Sequence, residues 1–116
     1  MEPWEAEALS WLMNNRNKHA LAGNRFNTTA EAIEAVKRLY AAGATEVKVG
    51  PVLDEPERIE RYGGPYTDSL TVAFPKEKTR EILHVVRSLQ PEEGGDAKDV
   101  YLDDETHEPT LMLWWD

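Results

Sequence analysis

The chain has no cysteine, which excludes disulfides and thiolate catalysis and leaves only His, Asp and Glu to build a zinc site. Long apolar runs are missing too: nowhere do about 18 consecutive apolar residues occur, so no membrane-spanning helix is predicted. The opening Met1-Glu2-Pro3-Trp4-Glu5 lacks the basic and apolar regions of a signal peptide. These absences together predict a cytoplasmic protein. Imidazoles are scarce, with His19, His84 and His107 the only three. No G-x-S-x-G elbow, H-E-x-x-H helix or Cys-His pair accompanies them, so the expectation leans away from an enzyme and implies no cofactor.

Basic residues are lacking in one region above all. Residues 1–90 carry 13 acids and 12 bases (net −1), whereas residues 91–116 carry 9 acids and only Lys98 (net −8), which together make the net charge of −9. Such a chain is repelled by nucleic-acid phosphates and anionic lipid, so neither nucleic acid nor membrane is expected as a partner. A basic protein surface or a divalent cation would be attracted. With 116 residues, 41% hydrophobic and 30% charged, the chain reads as a single domain over 1–116 with a core of its own.

What is present follows recognisable periods. Trp4, Ala8, Trp11 and Leu12 recur at helical spacing over 3–16. His19 to Phe26 is read as a short strand with a turn or bulge at Gly23. Thr28-Thr29-Ala30-Glu31 fits a capping box opening a helix over about 29–42, which Gly43 stops. Glu46 to Val49 alternates as a strand, and Asp54 to Asp68 is a long loop with a turn of helix near Pro56 to Arg61. Ser69 to Phe74 is the clearest strand, and Ile82, Leu83, Val85, Val86 and Leu89 form one side of a second core helix over 76–89. Val100-Tyr101-Leu102 and Leu111 to Trp115 read as a hairpin joined by an acidic loop. Without its first helix and one of the last two strands, the order is βαββαβ. The fold class expected is therefore α+β and ferredoxin-like: an antiparallel sheet covered by two helices, with an extra N-terminal helix and a C-terminal hairpin.

Three places carry candidate chemistry. The turn Asp103, Asp104, Glu105, His107 and Glu108 offers hard oxygen ligands, with Asp103, Asp104, Glu105 and His107 as the set a divalent cation would use. The spacing matches no EF-hand, and a solvated acidic turn is the plainer reading. In the loop, Arg58, Arg61, Gly63 and Gly64 could hold an anion, and Tyr62 and Tyr66 make it a contact surface. Gly-Gly-Pro more often marks a turn, and no P-loop pattern surrounds it. Finally, Trp114 and Trp115 are adjacent and point to opposite faces of a strand, so one lies outside the core. Either the N-terminal helix covers that indole, the favoured reading, or it joins an interface.

The function expected is a small acidic, non-enzymatic protein-interaction module of an inhibitor or immunity type. It would bind a basic protein surface with Asp103, Asp104, Glu105, Glu108, Tyr62, Tyr66 and Trp114. The alternative is a small-ligand or divalent-metal-binding protein or enzyme, using the Gly63-Gly64 loop or the 103–108 turn. A homodimer through the tryptophan face or a sheet edge is a third reading.

Overall fold

The computed structural model describes residues 5–23, 25–53 and 55–115; Trp4 and Asp54 lie outside them. The chain forms an α+β fold around a five-stranded antiparallel sheet. In chain order its elements are β1 (Ala6–Glu7), α1 (Ala8–Met13), α2 (Thr29–Ala41), β2 (Glu46–Val49), α3 (Pro56–Tyr62), β3 (Ser69–Ala73), α4 (Thr79–Leu89), β4 (Tyr101–Leu102) and β5 (Pro109–Trp114). The strands lie side by side as β1-β2-β3-β5-β4. No helix among the described residues is long and apolar enough to cross a membrane.

Alternation in the three longer strands sets the core. Val47 lies opposite Val72, which lies opposite Leu111; Val49 lies opposite Leu70, which lies opposite Leu113. All six are buried against Leu12 of α1, Val36 and Leu39 of α2, and Ile82 and Val86 of α4. Full burial of an aliphatic side chain is worth about 1.5–3 kcal/mol, so these two cross-strand rows anchor the sheet to its helices. α2 begins where the capping pattern places it: Thr28 Oγ1 accepts the Glu31 amide at 3.2 Å, while Glu31 reaches one residue further back, to the Asn27 amide at 2.9 Å.

Three expectations are corrected. The first helix is shorter than predicted, because Ala6 and Glu7 pair with Val49 and Lys48 as a strand, and the Glu7 carboxylate then caps α1 by accepting the Leu9 and Ser10 amides. The described residues of 19–26 form no strand; among them the one ladder contact is an isolated parallel bridge from Leu21 to Thr67. Side chains and local turns share this backbone: Asn17 Oδ1 accepts the His19 amide at 2.9 Å and Thr29 Oγ1 the Ala20 amide at 2.9 Å, while the Arg25 and Phe26 amides donate to the Ala22 carbonyl. Ala20, Leu21, Ala22 and Phe26 still enter the core. With that segment outside the ladder, the strand order differs from the ferredoxin-like one.

The third correction concerns the tryptophans. Trp115 turns inward: its Nε1–H donates to the Leu89 carbonyl at 2.9 Å and its ring meets Phe26 edge-on at 5.4 Å. Trp114, half-buried, faces the other side of the sheet. α1 does not serve as its cover, because α1 packs on α2 and β2, with β3 between β2 and β5.

Residues 91–95 run as a strap beside β5. The Glu92 and Glu93 amides donate to the Trp114 carbonyl, and the Trp114 amide donates to the Glu93 carbonyl at 3.1 Å. Gly94, at φ 88°, sits so close that a Cβ there would lie 1.8 Å from the Met112 carbonyl oxygen. Only glycine fits both the backbone angle and the gap.

Candidate functional site

The sheet face opposite the core presents Glu46 and Lys48 from β2, Thr71 and Ala73 from β3, and Met112 and Trp114 from β5. Tyr101 of β4 lies across from Thr110 on this face. Five large apolar side chains stand exposed among the described residues, and three come from the β4–β5 hairpin: Tyr101 (42%), Leu102 (64%) and Met112 (55%). Tyr101 forms a ridge between two hollows. One, of about 610 Å³, is lined by the 91–95 strap and Met112; the other, of about 550 Å³, is floored by Glu46 and Lys48 and walled by Glu5 and the 102–106 turn.

The second hollow is strongly acidic. Lys48 Nζ lies 3.4 Å from Glu5 and 3.6 Å from Glu46. Partial burial works against its charge, but Glu5 and Glu46 outweigh that and hold its pKa above the ordinary lysine value. Burial, reinforced by the nearby Asp103 carboxylate, raises the Tyr101 hydroxyl as well. Lys48 neutralises one of the carboxylates around it; those of Asp103, Asp104 and Glu105 remain as an open rim.

The acidic turn is built by its own hydrogen bonds. Asp103 Oδ1 accepts the Glu105 amide at 2.8 Å and the Thr106 amide at 3.0 Å. The Thr106 and Glu105 amides hold the Asp103 carboxyl below its usual range. Glu108 Oε2 accepts the Thr45 hydroxyl at 2.5 Å, and His107 adopts φ 59° at the end of the turn. Asp103, Asp104, Glu105 and His107 therefore do not converge as a ligand set. Among the described residues no group of three or more His, Asp or Glu is placed to hold a metal ion.

The 55–68 loop contains α3, with Pro56 in its first turn and Gly63 ending it at φ 88°. Gly64 packs against the chain at 15–17: a Cβ there would lie 2.1 Å from Asn15 Oδ1, and its carbonyl accepts Asn17 Nδ2 at 3.2 Å. Both glycines serve the turn and this close approach. Arg61 lies over the Tyr62 ring at 5.7 Å, and Arg58 over Tyr66 at 5.5 Å. Of the anion candidates, Arg58 lines a cavity. That cavity, about 320 Å³, is lined by Asn17, His19, Gly23, Arg58, Tyr62 and Tyr66. The loop residues thus separate from the acidic turn, which sits with Glu5 and Lys48. His19, noted in sequence only as one of three imidazoles, and Asn17, outside the segment read as a strand, were not linked to Arg58 because they lie some forty residues from it along the chain.

Comparison with protein-family models, curated proteins and solved structures finds no match for this chain.

Proposed function

We propose that the protein is a non-enzymatic binding module that engages a basic surface of a protein partner, as an inhibitor or immunity-type protein would. The contact face is the uncovered side of the sheet around Tyr101 and Met112. One observation carries this reading: exposed Tyr101, on the same sheet face as exposed Met112, stands beside a rim of carboxylates drawn from Glu5, Glu46 and residues 103–105. An apolar centre that sheds water, with charge around it, is how protein interfaces combine affinity with steering. Exposed Tyr and Met are enriched in such centres.

The test is capture of a partner from native lysate by the protein, by Tyr101→Ala, by Met112→Asp and by His84→Ala, a control on the exposed side of α4. The protein and the control are expected to retain one partner of basic isoelectric point, with binding that weakens as salt rises. The two face variants should lose it by tenfold or more, since truncating a central anchor costs about 2 kcal/mol. Equal capture by all four proteins would refute the assignment of the face.

A further inference from the structure

The cavity at the end of α3 lies apart from the β4–β5 face, and the charged side chains among its described lining residues are basic. On a chain with 22 acidic residues, the six described residues that line it include an arginine and a histidine and, among the described residues, no carboxylate. Two of the six are tyrosines, so flat rings and hydroxyl donors form much of its wall. Arg58 lies over the Tyr66 ring, its guanidinium carbon 5.5 Å from the centroid, and among the described residues its guanidinium makes no ion pair or hydrogen bond. A half-buried guanidinium offers in-plane donors that match a carboxylate in bidentate fashion.

The other polar groups fall into spent and unspent sets. Asn17 is spent: Nδ2 donates to the Gly64 and Pro65 carbonyls, and Oδ1 accepts the His19 amide. His19 Nδ1 contacts the Asn27 carbonyl at 2.6 Å, and since that oxygen only accepts, Nδ1 carries the proton. The Tyr66 hydroxyl accepts the Gly23 amide at 3.4 Å, which leaves its own proton to donate. Tyr62, half-exposed, presents its hydroxyl and one edge of its ring.

We infer that this cavity binds a small planar aromatic monocarboxylate, its carboxylate on Arg58 and the Tyr66 hydroxyl and its ring against Tyr62. One guanidinium suits a single negative charge; a phosphate dianion would call for more cations than the lining supplies. The volume, about 320 Å³, lies at the small end of ligand cavities and suits a one-ring molecule. The whole chain can be tested by amide-resolved NMR titration with benzoate, benzamide, phenyl phosphate and inorganic phosphate. Benzoate is expected to shift the amides of 17–23 and 58–66 with a dissociation constant near or below about 1 mM, and benzamide to bind at least tenfold more weakly. Arg58→Gln should abolish the benzoate shifts. Arg58→Lys should weaken them, and Arg80→Gln, exposed on α4 and away from the cavity wall, should leave them intact. Four results would each overturn the inference: no shifts in those segments, equal binding of benzamide, preference for phenyl phosphate or inorganic phosphate, or benzoate binding unchanged in a folded Arg58→Gln protein.

Discussion

The Tyr40 hydroxyl donates to Glu7 Oε2 at 2.6 Å and accepts the Val47 amide at 3.1 Å, so one oxygen on α2 fastens the cap of α1 and the start of β2. Burial, together with the hydrogen bond to Glu7, raises its pKa to about 12. Partial burial acts to raise the Glu7 carboxyl too, but the hydrogen bonds from Tyr40, Ser10 and Leu9 outweigh it and leave the pKa lowered. The two shifts bracket a pH window. A raised tyrosine contributes stability below its unfolded value near pH 10 and loses it as pH climbs towards about 12. A lowered carboxylate contributes above its ordinary 4.5 and loses it as pH falls through the folded value. Tyr40→Phe should cost about 1–3 kcal/mol at neutral pH, since it leaves the Val47 amide and one Glu7 oxygen without their partner. Denaturant titrations across pH should show the mutant losing less than the parent at both extremes; parallel curves would remove this hydroxyl from the linkage.

At the scale of elements, α4 ends in a clasp. Arg25 Nε and Nη2 donate to the Leu89 and Ser88 carbonyls at 2.7 and 2.9 Å, Trp115 Nε1 shares the Leu89 carbonyl, and Arg38 donates to the Ser88 hydroxyl. The last carbonyls of a helix have no partners within it, and a cation there also opposes the negative end of the helix dipole. Arg25→Met keeps an apolar stem near Phe26 but removes the donors, and should lower stability by about 1.5–3 kcal/mol in urea unfolding. A change below about 0.5 kcal/mol would mean solvent replaces the clasp fully. α2, α4, β2, β3 and the β4–β5 hairpin were legible because each repeats a local period or carries its own start signal, as Thr28 does. β1 was hidden by its length: two residues, Ala6 and Glu7, cannot show an alternation. Residues 19–26 misled for the opposite reason, having the apolar content of a strand while their backbone is shared between Asn17, Thr29 and local turns. The site was half legible. Tyr62, Tyr66 and the acidic turn stand out in sequence, but that Tyr101 would stand above Lys48, or Arg58 open towards His19, depends on sheet order and long-range packing.

Over the whole molecule the charge is lopsided, with net −8 of the total −9 in residues 91–116. The fold brings the 103–105 carboxylates beside Glu5 and Glu46, with Lys48 as the cation among them. Mutual repulsion there is screened by salt, so the melting temperature should rise by a few degrees between about 10 mM and 0.5 M sodium chloride. A falling melting temperature would show instead that the Lys48 pairs outweigh the repulsion. The strap at 91–95 and the strand β4 share a further consequence. Both hydrogen-bond to the outer side of β5, so the longest strand of the sheet presents no extended run of unsatisfied amides. The two outermost strands, β1 and β4, are two residues each, too brief to template a neighbouring chain. Among the described residues, then, this sheet offers a visitor side chains and no long open strand edge. Selectivity would then rest on what Tyr101, Met112 and the carboxylates accept, so recognition could be retuned by substitution without opening a route to fibrils.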